Sequence, residues 1–91
     1  MNTRRGPSLS GRVLLVAGAD TLRGAALARA VAEDGAAVVA CGVDQAALGV
    51  LAADLHAAGA RVAVFAGDPD SPDARGALAE MIDELFATPD A

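Results

Sequence analysis

The residues of this chain best suited to chemistry are the glycines of Gly18-Ala19-Asp20-Thr21-Leu22-Arg23-Gly24. They follow the apolar run Val13-Leu14-Leu15-Val16-Ala17, and a helical pattern begins directly behind them. A strand-to-helix turn of this kind suits a diphosphate for two reasons. The first turn of a helix carries N–H groups with no helical partner and the positive end of the dipole. Glycine lets the backbone approach a ligand closely and adopt positive φ. Gly18, Thr21, Leu22, Arg23 and Gly24 are therefore candidate phosphate-side residues. Each also has a structural reading. Gly18 and Gly24 allow a tight turn and close helix–strand packing, and Arg23 is a first-turn surface residue.

Other reactive side chains are isolated. Cys41 is the only cysteine, so no intramolecular disulfide and no zinc-ligand spacing exists, and a small buried strand residue is expected there. His56 is the only histidine and reads as a surface residue of a helix, not a metal ligand. Glu80, Asp83 and Glu84 fit the solvated face of a helix. No catalytic residue and no metal site is expected.

Those residues need elements to position them, and the pattern supplies six. Residues 12–17 form a continuous apolar strand of the kind covered on both faces. Residues 22–34 form a helix whose stripe is carried by Leu27 and Val31, four apart, with Ala residues beside them. Gly35 ends it. Residues 37–41 form strand two. Asp44 is the N-cap of a second helix with Leu48, Leu51, Ala52 and Leu55 on one face, closed by Gly59. Residues 61–66 form strand three. Ser71 caps a third helix with Pro72 at its first position and Asp73 at its positive end, running to about residue 87 with Ala74, Leu78, Met81, Ile82 and Leu85 inward. Residues 1–11 read as a flexible lead-in, 12–88 as the domain and 89–91 as a tail.

The order β-α-β-α-β-α with short connections implies parallel strands and right-handed crossovers. The fold class expected is α/β, a truncated Rossmann-like (β-α)3 unit whose three-stranded parallel sheet is flanked by helices. Ninety-one residues allow one domain. Hydrophobic residues make up 54%, yet only Phe65 and Phe86 are aromatic, so Ala, Val and Leu must build the core. The net charge of −5 lacks the basic footprint that nucleic acid requires. No run approaches the ~20 apolar residues of a membrane span. Arg4-Arg5 suggests a twin-arginine export signal, but the apolar stretch behind it is short and ends in a turn, so the strand reading is preferred. A reducing, cytoplasmic compartment is expected.

The segment Leu9-Ser-Gly-Arg-Val-Leu-Leu-Val-Ala-Gly18 resembles the opening of the short-chain dehydrogenase/reductase family, Leu-x-Gly-Lys-Val-x-Leu-Val-Thr-Gly. The family's Thr-Gly-x-x-x-Gly-x-Gly falls here on Ala17, Gly18, Leu22 and Gly24. Gly67-Asp68-Pro69-Asp70-Ser71-Pro72 is similar to the family's Ala-Asp-Val-x-Asp-Pro. The resemblance spans about residues 9 to 88 and only the N-terminal part of a family member. It implies a dinucleotide cofactor, NAD or NADP, and a role for Asp68 at the adenine, against the plainer reading of a loop residue.

The departures have consequences. Ala17 lacks the motif hydroxyl that steadies the turn. Leu22 stands where the family glycine lies against the diphosphate, so affinity is expected to fall. At the end of strand two, Gly42 goes with NADP in the family, but Val43 replaces the usual Arg, and Arg23 lies one step past the usual basic position. NAD and NADP both stay open. Family catalysis uses Tyr and Lys, and neither occurs here.

Three readings follow: a cofactor-binding module inactive alone, a fragment of a split or truncated oxidoreductase, or a ligand-free interaction module. The resemblance also places a fourth strand beside strand one. Without it, Val13-Leu14-Leu15-Val16 is an apolar open edge, and a homodimer or a partner chain is expected to cover it.

Overall fold

The computed structural model describes residues 9–87. The expected alternation is present: β1 (Val13–Val16), α1 (Leu22–Glu33), β2 (Ala37–Gly42), α2 (Gln45–Ala57), β3 (Val62–Ala66) and α3 (Pro72–Ala87). The strands are parallel in the order β1-β2-β3. Val13 pairs with Ala37, and Val38 with Val62. This is the Rossmann-like α/β unit read from the sequence. The proposed twin-arginine pair, the tail and most of the lead-in lie outside the described residues. At its inner end the lead-in is hydrogen-bonded: the Leu9 N–H donates to the Asp34 carbonyl at 2.9 Å, and the Arg12 N–H to the Leu9 carbonyl at 3.0 Å.

Alternation along the strands divides the core into two. Val16, Val38 and Ala40 face α1 and α2 and pack with Ala28, Leu48, Leu51 and Leu55. Ala37, Val39 and Cys41 face the opposite way, against Ala74, Leu78 and Leu85 of α3. So α1 and α2 cover one face while α3 crosses to the other. β2 is covered on both sides and is buried from Ala37 to Cys41. β1 is not: at the sheet's edge, Leu15 remains 42% exposed. The two-sided burial expected of strand one belongs to strand two, because among the described residues β1 has a hydrogen-bonded neighbour on one side only.

The caps follow the sequence. The Asp44 carboxylate accepts from the Ala47 N–H at 3.1 Å. Ser71 Oγ accepts from the Ala74 N–H at 3.3 Å. Leu48, Leu51 and Leu55 of α2 are buried as expected. The stripe on α1 is a correction. Leu27 is 54% exposed, and the face that meets the sheet is Gly24 and Ala28, with Ala25, Val31 and Ala32 beside them. Small residues four apart let the helix settle close to the strands. At that separation there is no room for a leucine, and Leu27 turns outward.

That packing makes a quantitative prediction. Ala28 has no exposed surface. Ala28→Leu forces added methylene groups between α1 and the sheet and is expected to destabilise the domain by about 1–3 kcal/mol. Leu27→Ala removes an exposed side chain and is expected to change stability by less than about 0.5 kcal/mol. Urea unfolding followed by circular dichroism compares the two.

Candidate functional site

The turns at the carboxyl ends of the strands share one end of the sheet, where parallel α/β sheets bind ligands. The first runs from β1 into α1. Gly18 takes φ +68°, a conformation that side chains resist. The Thr21 N–H closes the turn on the Gly18 carbonyl at 3.0 Å. The Thr21 hydroxyl donates to the same carbonyl at 2.7 Å and accepts from the Gly24 N–H at 3.1 Å. Thr21 thus caps α1 and steadies the turn from within, replacing the hydroxyl missing at Ala17. The Ala19 N–H donates to the Cys41 carbonyl at 2.9 Å and ties the turn to β2.

Gly24 is held by contact. A Cβ there would meet the Gly18 carbonyl oxygen at 1.9 Å and the Ala19 Cα at 2.9 Å. Any side chain would push α1 off the turn. The result is a helix start pressed against the strand end, with the Leu22 and Arg23 N–H groups in a first turn that offers them no helical partner. The Leu22 side chain is 93% exposed and packs on nothing. The turn has not been rebuilt to bury it. Arg23 is exposed beside it.

The second turn follows β2. Gly42 is half-buried, and Val43 is 80% exposed. The residue that organises this turn is Asp20, which the sequence reading passed over. Its Oδ2 accepts from the Val43 N–H at 2.8 Å and the Asp44 N–H at 3.0 Å. A Cβ on Gly42 would stand 2.5 Å from the Asp20 Cγ, so the carboxylate fills the space a side chain at 42 would enter. The N–H bonds from Asp44 and then Val43 hold the carboxyl below the usual carboxylate range. The available signal was Gly42 itself, a strand-end glycine followed by two free N–H donors facing an acidic turn.

The third turn follows β3. The Gly67 N–H donates to the Gly42 carbonyl at 2.8 Å, which aligns the two strand ends. Asp68 is exposed, and its Oδ1 accepts from the Asp70 N–H at 2.9 Å. Its carbonyl accepts from the Ser71 N–H at 3.1 Å, so Asp68 also shapes the entry to α3. The structure therefore gathers Gly18, Thr21, Leu22, Arg23, Gly24, Gly42 and Val43 around two adjoining turns, with Asp68 one strand further on. Cys41 lies buried in β2, where desolvation raises its thiol pKa. His56 sits exposed in the last turn of α2, toward the opposite end of the sheet. No cluster of metal-ligating side chains occurs among the described residues. Nor is any helix there long and apolar enough to cross a membrane. A groove lined by Ser10, Gly35, Gly59 and Arg61 shares none of the turn residues.

The fold and the glycine turn define a Rossmann-like architecture. No protein-family model matches the sequence, and no curated protein matches it. Solved structures do. A short-chain dehydrogenase/reductase from Burkholderia phymatum in complex with NAD shares 32% identity at a TM-score of 0.77, over 89% of this chain and 29% of that one. A short-chain type dehydrogenase/reductase from Mycobacterium marinum shares 37% identity at 0.75, over 86% and 32%. A metagenomic short-chain oxidoreductase in complex with NADP shares 34% identity at 0.71, over 85% and 35%. Over most of its length the chain is similar to these short-chain dehydrogenases/reductases, consistent with their N-terminal part. It spans about a third of the length of these structures.

Two outcomes are expected from the turn geometry. Gly24→Ala drives a methyl group into the Gly18 carbonyl and destabilises the domain by at least about 1–3 kcal/mol, more than Thr21→Ala, which removes a cap at about 1 kcal/mol. Thermal unfolding of the two variants ranks them. The Asp20 carboxylate stabilises the fold when ionised. Its contribution is present above the ordinary carboxylate range and is lost as pH falls through the lowered folded-state pKa. Carboxyl NMR titration should place Asp20 below the ordinary carboxylate range, and Asp20→Asn should flatten the acid limb of the stability profile.

Proposed function

We propose that this chain is a nicotinamide-dinucleotide-binding module, the cofactor-holding part of a short-chain dehydrogenase/reductase. The observation that carries this reading is the β1–α1 turn. Gly18 at positive φ, Gly24 pressed on the Gly18 carbonyl and the unpartnered first-turn N–H groups make a cradle that tolerates no side chain at position 24. Such a cradle fits a diphosphate. Gly18, Thr21, Arg23 and Gly24 would hold the diphosphate side, Gly42 and Val43 would border the adenosine ribose, and Asp68 would border the adenine. Leu22 is the departure. Its exposed side chain stands at the mouth of the cradle and weakens binding without closing the turn.

When bound, the nicotinamide ring supplies hydride exchange. This chain's residues bind and orient the other end of the molecule. The family's proton transfer uses Tyr and Lys, and the 91 residues contain neither. Turnover by that mechanism therefore requires groups from outside this sequence, either a further segment or another polypeptide, and the module alone is inactive. Solubility in a reducing, cytoplasmic compartment suits an acidic chain with one buried thiol.

A second feature supports a partner. Among the described residues β1 has an unpaired edge, and Leu15 on it is 42% exposed. Such an edge invites strand addition. A two-fold axis beside β1 would pair it with its copy and give a continuous six-stranded sheet. A homodimer, or a partner strand in the same place, covers this surface. The interaction module without ligand remains the alternative to the cofactor reading.

Isothermal titration with NAD, NADP and AMP tests the cofactor site. Saturable binding is expected, weakened by Asp68→Ala and strengthened roughly tenfold by Leu22→Gly, about 1.4 kcal/mol. No heat at millimolar ligand in either the native chain or Leu22→Gly rejects the module. Light scattering after size exclusion tests the edge. A dimer that Leu15→Lys dissociates is expected, and a monodisperse monomer at micromolar concentration rejects it.

A further inference from the structure

The acidic side chain that usually meets the adenosine ribose in these folds projects from the end of the second strand, about 20 residues past the glycine turn. There it accepts the 2′-hydroxyl and disfavours a 2′-phosphate. In this chain that strand end carries no carboxylate of its own to offer. Residue 42 is glycine, and Val43 is apolar and 80% exposed. Asp44 spends Oδ1 on the Ala47 N–H at the start of α2.

The missing carboxylate comes from another element. A Cβ built on Gly42 lies 2.5 Å from Asp20 Cγ, 2.6 Å from Oδ1 and 2.8 Å from Oδ2. The Asp20 carboxyl group thus stands where a side chain at position 42 would begin. It is fixed there, because Oδ2 accepts from the Val43 and Asp44 N–H groups at 2.8 and 3.0 Å. A carboxylate has about four acceptor sites, so these two bonds leave Oδ1 with capacity for a hydroxyl. The two positions depend on each other: any side chain at 42 collides with Asp20, and Gly42 is what admits it.

We propose that Asp20, carried on the β1–α1 turn and seated over Gly42, is the residue that selects the cofactor, accepting the free 2′-hydroxyl of NAD and repelling the 2′-phosphate of NADP. The inference rests on the dinucleotide reading of the site given above. It resolves the choice that Gly42 and Val43 leave open. A 2′-phosphate brings a dianionic group at neutral pH toward a carboxylate already satisfied by N–H donors and unable to recruit them. Val43 offers that phosphate no cation.

The test is a pair of affinities. NAD and NADP are titrated into the native chain, with 5′-AMP and 2′,5′-ADP as smaller probes, and folding is checked by circular dichroism. The native chain is expected to bind NAD at least tenfold more tightly than NADP. Asp20→Asn keeps the size and an acceptor for the two N–H groups but removes the charge, and is expected to lower that ratio at least fivefold. The double substitution Asp20→Gly with Gly42→Asp returns a carboxylate to the strand end and is expected to keep the preference for NAD. A residue that only latches the turns would change both affinities alike. Binding with no preference in the native chain, or an unchanged ratio in folded Asp20→Asn, overturns the assignment and leaves the dinucleotide reading intact. If Asp20→Asn does not fold, the native ratio and the double variant decide the matter. Binding of none of the four ligands overturns both.

Discussion

At its first turn α1 approaches the end of β1 too closely to admit a side chain at position 24, and much of the structure depends on that approach. Gly24 lies so near the Gly18 carbonyl that a methyl group at position 24 would overlap it. That proximity fixes the first turn of α1 beside the strand end and lets the Thr21 hydroxyl reach both Gly18 and Gly24. One turn further, Ala28 repeats the condition, fully buried between helix and sheet. The helix is therefore seated by small residues rather than by large apolar ones. A core poor in aromatics is well matched to this. Less area is buried per residue, but the layers come close enough for the strand-end turns to form one continuous surface.

Much of this architecture was legible in the sequence because its signals are local. Asp44, and Ser71 followed by Pro72, mark helix starts through groups within three residues of one another. The glycines after α1 and α2, and the apolar runs between the helices, gave six elements in the right order. The reading failed where the answer depends on what lies opposite. A helical period identifies Leu27 and Ala28 as neighbours but cannot choose between them. The choice was made by the distance to the sheet, which Gly24 sets. Strand one was expected to be covered on both faces because it is a continuous apolar run. Its place at the edge of the order β1-β2-β3 left Leu15 exposed instead.

The site was partly legible for the same reason. The turn residues from Gly18 to Gly24 announce themselves by spacing. Asp20 did not, since its partners are 23 and 24 residues away and its space exists only because residue 42 has no side chain. Gly42 was read as the glycine that goes with NADP, when its structural meaning is a vacancy for a carboxylate arriving from elsewhere. Two turns joined by one carboxylate also account for the order at this end of the sheet. Asp20 couples the first turn to the start of α2, and the Gly67 N–H couples the second strand end to the third.

Leu22 can be weighed against that rigidity. A large residue in a phosphate-binding turn is tolerated in one of two ways: the turn rearranges to bury it, or the turn keeps its form and the side chain stands in water. The Thr21 cap, the positive φ of Gly18 and the contact at Gly24 are all intact, and the leucine is almost fully exposed. The second course has been taken. The backbone features that would serve a diphosphate are the same ones that hold α1 to β1, so they persist whatever stands at position 22. Stability protects the cradle, and affinity is left to the one side chain on which the packing does not depend. Leu15 is governed by a different rule. Its exposure follows from the unpaired edge of β1 and does not depend on the turn. Occupation of the cradle and occupation of the edge are therefore separate events, and a chain that has lost either one retains the physical basis for the other.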